Sequence, residues 1–404
     1  MSRHAVIIGA GITGTLTAVR LQKEGWSVTI LEAHHVGAGS SSRTAAGIRQ
    51  QFSTPETVLG MRYSVDHYKR FPEEVGGMMS PIVQNGYLFL IGDQPEQAQE
   101  RVKMQRACGL DEVEFLNPAE TQERFPFVDP DNIVGATWCP SDGFLRPEVV
   151  YGEAAASARA RGVTILQNAP VEKAKTSADK VTAVWAKGSW HEADLFVDTT
   201  NAWTQRLSSI LGCSQIPVDP VKRHLWFLAR GGAFTGKQLM NMPMVVTPSG
   251  AYCHPENAET LMAGWAKETT VDAHFSFDCQ DDVDAAYSHK SGVDSVAYET
   301  WFALSESLPP IGEFAGIHAT TCGYYGVTPD HNPFLDFDPH HTNVLRLVGF
   351  SGHGAMFGPF SAHVAAQLAE AGKNPSTIDV LGHSVSLAPF AINRPFKAHE
   401  AMVI

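Results

Sequence analysis

Ala5-Val-Ile-Ile-Gly9-Ala-Gly11-Ile-Thr-Gly14 sets the architecture of this chain. Its first four residues are a short, fully apolar run, as a strand covered on both faces requires. The glycines follow at once, and Ile12, Leu16 and Val19 then recur at helical spacing until Gly25, a residue suited to a helix C-terminus. Ser27 to Leu31 alternates apolar residues and ends at the acid Glu32. Strand, tight turn, helix and second strand together predict a βαβ unit of about 30 residues. Gly9 permits the bend, Gly11 lets backbone approach a pyrophosphate, and Gly14 lets the helix pack closely on the strand. The helix N-terminus offers its unpaired N–H groups to the phosphates. A carboxylate at Glu32 accepts from both hydroxyls of an adenosine ribose and repels a 2′-phosphate. The unit reads as a dinucleotide site, a fingerprint that NAD and FAD share.

Outward from this unit, Gly37 to Gly47 is a Gly/Ser-rich loop whose small residues allow close approach to a ligand. Helices are predicted over Gln97 to Arg106, Pro118 to Glu123, Glu153 to Arg161 and about Phe360 to Ala371, the last closed by Gly372. Strands are predicted at 86–91, 163–166, 181–185, 195–197 and 344–348, with a β-rich stretch over 217–264. Alternating strands and helices at both ends around a β-rich middle suggest a nucleotide-binding domain interrupted by a second one. A length of 404 residues is compatible with two to three domains. Apolar residues at 44% against 18% charged mark a self-folding globular chain. The net charge of −13 argues against nucleic acid or an anionic membrane surface as partner. No apolar run reaches membrane-span length and none near the N-terminus resembles a signal peptide, so a cytoplasmic enzyme is expected. Six scattered cysteines without CxxC suit reduced thiols. The adjacent pairs His34-His35 and His340-His341 do not face one point, and no metal is expected.

Four further segments carry a resemblance: Ala46-Gly-Ile-Arg-Gln-Gln-Phe52, Gly250-Ala-Tyr-Cys-His-Pro-Glu256, Gly323-Tyr-Tyr-Gly-Val-Thr-Pro-Asp330 and Gly349-Phe-Ser-Gly-His-Gly354. In order and spacing they resemble the D-amino-acid oxidase (DAO) family of flavoproteins, in particular its sarcosine oxidase and dimethylglycine dehydrogenase branch. The resemblance implies an α/β chain, α+β overall: a Rossmann-like FAD-binding domain of the glutathione-reductase type interrupted by a β-rich substrate domain. The division expected is 1–80, 140–215 and 321–404 for FAD against 81–139 and 216–320 for substrate. FAD is implied with its adenosine end on Gly9, Gly11, Ile12, Thr13, Gly14, Glu32 and Ala33. Its pyrophosphate is implied near Arg43 and Thr44, its adenine near Val171, and its flavin end near Gly352, Gly354 and Met356. The reaction implied is oxidation of an amine, amino acid or N-methyl amino acid, with oxygen or an electron carrier as final acceptor.

Candidate catalytic residues follow from the same segments. Arg49 is a carboxylate clamp, because a guanidinium meets a carboxylate bidentately. Tyr325 lines the cavity and donates its hydroxyl to substrate, while Tyr252 and His254 lie on a strand facing the flavin. His353 sits between two glycines at a helix start, where exposed N–H groups stabilise the negative charge of reduced flavin. A packing arginine, core tyrosines, a structural histidine and a plain strand-to-helix turn are the respective alternatives. The chain departs from its relatives at Met356 and Met262, where they carry lysines for the substrate carboxylate and for oxygen. The first change leaves open whether the substrate bears a carboxylate, and the second favours a dehydrogenase. A covalent flavin anchor is not met at Arg43 or Thr44, and Cys322 lies one residue from the other anchor position, so non-covalent FAD is expected. A NAD-linked dehydrogenase and a flavin-binding assembly subunit without turnover remain the competing readings.

Overall fold

His4–Ile8 lies near the middle of a six-stranded sheet, parallel to Ser27–Leu31 on one side and Leu195–Asp198 on the other. The computed structural model describes residues 3–267, 275, 282–372, 374–397 and 399–402; Cys279 is outside them. Thr164–Leu166 extends the sheet beyond Ser27–Leu31, Val344–Val348 extends it beyond Leu195–Asp198, and Phe334–Phe337 adds an antiparallel edge. Both faces are covered, which explains apolar runs in place of alternation: every residue of Val344–Val348 is buried. On one face pack the helices Ile12–Lys23, Pro55–Lys69, Pro147–Ala160 and Gly354–Ala371. On the other lie helix Thr204–Leu211 and a three-stranded sheet of Val171–Ser177, Lys180–Ala186 and Ser189–Glu192. The chain leaves His4–Ile8 first toward Ser27–Leu31 and later returns to add Leu195–Asp198 on the opposite side. The strand order therefore reverses between them, and the crevice at their carboxyl ends is the natural ligand site.

Buried Arg346 fastens that reversal. Its Nε meets Asp198 Oδ2 at 3.0 Å and its Nη1 meets Asp338 Oδ2 at 3.0 Å. Nη2 donates to Thr204 Oγ1 at 2.6 Å and Ser208 Oγ at 2.7 Å, so the guanidinium is both paired and hydrogen-bonded, as burial demands.

The second large sheet has eight strands, in the order 316–327, 219–229, 260–265, 251–257, 244–246, 87–91, 135–139, 114–116. Helix Val296–Ser307 packs on one face, its Leu304 in one cluster with Trp226 and Leu261. The opposite face presents Tyr87, Leu225, Met244, Tyr252 and Met262, a cluster that also holds Ala45 from the Gly/Ser-rich loop.

Three expectations need correction. The final helix starts at Gly354, before the Phe360 read from sequence, because Pro359 sits inside it without breaking it. Proline lacks the N–H that would bond Ala355 O four residues back, and the Tyr68 hydroxyl supplies that bond at 2.7 Å. A boundary at 320/321 falls within the strand Gly316–Val327, which pairs continuously with Asp219–Ala229 up to Val327. Helices Pro55–Lys69 and Val296–Ser307 were not expected at all. No helix among the described residues is long and apolar enough to cross a membrane, and none of their His, Cys, Asp and Glu side chains cluster as a metal site.

Candidate active site

The glycine turn is shaped by contacts that leave no room for a side chain. A Cβ on Gly14 would stand 2.1 Å from Gly9 O, and one on Gly11 would stand 2.7 Å from Ser41 Oγ. Gly9 has φ +109°, a conformation favouring glycine. Glu32 is buried, its Oε2 accepting from Ala10 N at 2.7 Å and its Oε1 from His34 N at 2.9 Å. At the helix start, Ile12 N donates to Ser41 Oγ at 3.0 Å.

A long cleft opens over this turn. One end is walled by Glu32, Ala33 and Val171, the middle by Gly11, Thr13 and Ser41, and the far end by Tyr325, Gly352 and Gly354. Gly9, Ile12 and Thr44 also line it. Asn201, which the sequence reading missed, holds the two sides of the switch point together. Its Oδ1 accepts from Gly349 N at 2.9 Å and Phe350 N at 3.3 Å, from a left-handed φ of +48° that asparagine tolerates. The cleft thus offers an acceptor at one end, glycine backbone and a helix N-terminus in the middle, and a second helix N-terminus at Gly354. That donor set fits a dinucleotide with its adenosine on Glu32 and its far ring beside Tyr325 and Gly352. Arg43 is not on the cleft wall; it donates to the carbonyls of Ala38 and Gly39 within its own loop.

Beyond Gly352 the cleft meets an inner cavity walled by Tyr87, Met244, Tyr252, Tyr325, His353 and Met356, with Thr44, Tyr325, Gly352 and Ala355 common to both. A Cβ on Gly352 would come within 2.5 Å of the Tyr325 ring, so glycine is what lets that ring lie over the turn. Burial pushes both Tyr252 and Tyr325 above the usual phenol range, with the Arg223 guanidinium opposing the shift. Both are neutral hydrogen-bond donors at ordinary pH. Arg223 reaches them from the strand Asp219–Ala229, 5.5 Å from the Tyr325 ring.

Arg49 is wholly buried next to this cavity but does not line it. Its Nη1 donates to Gln51 O at 2.5 Å, and its Nη2 meets His353 Nε2 at 3.2 Å and also donates to Met402 O. Its Cζ lies 3.9 Å from the Phe52 ring centre. Burial depresses its pKa, and no carboxylate among the described residues forms an ion pair with it. Burial, with Arg49 alongside, holds His353 well below its usual pKa. The imidazole is therefore neutral. Since a guanidinium only donates, Nε2 is the acceptor and the proton sits on Nδ1. That Nδ1 is buried with no hydrogen-bond partner among the described residues, as are Arg49 Nε and Gln51 Oε1. Of the three residues His353 lines the cavity, and its unsatisfied Nδ1 marks a place there for a polar ligand.

The loop carrying Arg49 is fixed by Asp142, which sequence reasoning passed over. Its Oδ1 accepts from Gln50 N at 2.8 Å and Gln50 Nε2 at 3.0 Å, and its Oδ2 from Gln51 Nε2 at 3.2 Å. His254 is corrected from catalytic candidate to tether. Both ring nitrogens lie against backbone carbonyls, of Ala45 at 2.9 Å and Pro255 at 3.0 Å, the ring stacks on Phe144, and His254 does not line the cavity. Cys322 is buried with its Sγ toward Asp282 O, whereas Gly323 faces Arg43.

Comparison with known proteins agrees with this geometry. The family model for FAD dependent oxidoreductases (DAO) matches residues 4–368. FAD-dependent oxidoreductase domain-containing protein 1 of Bos taurus is 24% identical over 98% of this chain and 85% of its own length. N-methyl-L-tryptophan oxidase of Salmonella agona (strain SL483) is 26% identical over 98% of this chain and 99% of its own. The crystal structure of L-proline dehydrogenase from P. horikoshii superposes with a TM-score of 0.79 at 26% identity, covering 94% of this chain and 96% of that one. With its glycine cleft, its paired sheets and this match over most of its length, the chain belongs to the DAO family of FAD-dependent oxidoreductases.

Proposed function

We propose that the protein oxidises the C–N bond of a small amino acid or N-methyl amino acid bearing a carboxylate. The observation that carries this reading is Arg49, a buried cation that forms no ion pair among the described residues, beside a cavity lined by three neutral phenols. A buried charge is costly until it is paired, and a planar fork is complementary to a carboxylate. FAD, held along the glycine cleft by Gly11, Thr13 and Glu32, would serve as the electron sink, taking up the hydride lost from the carbon beside nitrogen, and water would hydrolyse the imine product.

Around that exchange, the chain's own residues position and insulate. Tyr252 and Tyr325 donate hydrogen bonds to the substrate's polar end, and the neutral His353 offers its Nδ1–H into the cavity. Met244, Met356 and Tyr87 give an apolar wall that suits the substrate's carbon skeleton. The names of the relatives, an N-methyl amino acid oxidase and an amino acid dehydrogenase, support the substrate class.

A dye-linked activity screen tests the reading. Secondary and primary amino acids should turn over, and their methyl esters should lose at least tenfold in kcat/KM, since a lost charge-assisted contact is worth about 1.5–3 kcal/mol. Esters turning over as well as acids would remove the carboxylate from the proposal.

A further inference from the structure

Residues near the end of the chain reach into the substrate region. Arg394 forks onto Asp330, Nε to Oδ2 at 2.7 Å and Nη2 to Oδ1 at 2.8 Å, and Glu400 N donates to Asp330 O at 3.1 Å. From that anchor, Glu400 accepts from Ser53 N at 2.9 Å and Met402 N at 3.0 Å, and Ala401 N donates to Ser53 Oγ at 2.9 Å. The result places the Met402 carbonyl on Arg49 Nη2 and the Met402 side chain in the cluster of Tyr87, Phe89, Tyr252 and Met262. The inner cavity, which shares Tyr87, Met244 and Tyr252 with that cluster, has only about 30 Å³ of space, room for little more than water. An amino acid needs more, and Arg49 has no open face while Met402 is in place.

We propose that residues 399–402 form a strap that closes the substrate site, with the Met402 carbonyl holding on Arg49 the position that a substrate carboxylate takes. This rests on the reading of Arg49 given above. The exchange is favourable in kind, because a neutral carbonyl is replaced by an anion on a buried cation. Apart from the carbonyl on Arg49, which the substrate carboxylate replaces, the strap is held by a few hydrogen bonds to Ser53 and Asp330 and by one apolar side chain, so displacing it costs little compared with opening either sheet. Substrate affinity then carries the cost of displacing the strap, and loosening the strap removes that cost.

The test titrates the FAD-loaded protein with propionate, read by flavin absorbance and by stopped-flow association rate. Glu400→Ala removes the acceptor for Met402 N in the strap and for Ser53 N beneath it, and Ser53→Ala removes the acceptor for Ala401 N without altering charge. Both should bind propionate faster and more tightly, Glu400→Ala by about tenfold and Ser53→Ala by less. In an Arg49→Lys background neither should have an effect. Unchanged or weaker binding in both strap variants, with Arg49→Lys still losing affinity, overturns the strap alone. Undiminished binding in Arg49→Lys itself overturns the reading of Arg49 and the strap with it. Flavin content and thermal midpoint of each variant establish that it is folded.

Discussion

Two glycines a short way apart in character show how much a single Cβ decides. Gly14 faces Gly9 O at 2.1 Å, whereas Gly152, inside helix Pro147–Ala160, has nothing within 4 Å. Gly14→Ala should cost about 1–3 kcal/mol or more through overpacking and should purify largely without FAD. Gly152→Ala should add about 0.4–1 kcal/mol by reducing the freedom of the unfolded chain. Denaturant unfolding of the two variants checks both signs, and equal effects would contradict the packing argument. Asp142 supplies a pH signature. Burial raises its carboxyl from the ordinary 3.8 to about 6 in spite of its glutamine donors. Between about pH 4 and 6 the native state holds a proton that the unfolded chain has lost, so this group makes stability fall as pH rises through that window. Asp142→Asn lacks the slope. The stability difference, wild type minus variant, should shrink by up to about 3 kcal/mol between pH 4 and 7, and a constant difference would contradict the assignment.

At the scale of elements, the helix Gly354–Ala371 carries the most instructive departure from sequence logic. A proline six residues into a helix reads as a start, and the tyrosine that makes it tolerable comes from Pro55–Lys69, far away in the chain. Tyr68→Phe should cost about 1–3 kcal/mol by leaving Ala355 O unsatisfied. Adding Pro359→Ala, which restores an N–H four residues on, should recover part of that loss in a double-mutant cycle. Additive losses would show that Ala355 O is not the link. The same reasoning explains what was legible. The unit from Ala5 to Glu32 and the Gly352-His-Gly354 turn were readable because glycine spacing and strand runs are local signals. The tether role of His254, the Asp142 network and the strap at Met402 were not, because each is defined by partners from distant segments.

At the scale of the molecule, two sheets meet with a dinucleotide cleft at the switch point of one and an aromatic cavity against the face of the other. Fold and cofactor were legible in the sequence because the glycine turn and the four family segments lie on both sides of that junction. Substrate was less so, because Met356 stands where the resemblance led one to expect a carboxylate-pairing lysine, and Arg49 is covered by Met402. Cys322 turns its thiol to Asp282 O, which predicts that acid precipitation leaves the yellow cofactor in the supernatant; colour in the pellet would contradict it. A junction that brings a carboxylate-bearing amine to FAD will reveal itself in anaerobic titration. Purified FAD-loaded protein mixed without oxygen with a panel of amino acids and N-methyl amino acids should lose its visible flavin absorbance, and Arg49→Lys should lose it at least tenfold more slowly at equal substrate. Flavin that stays oxidised with every member of the panel, or that bleaches equally in Arg49→Lys, would contradict the claim.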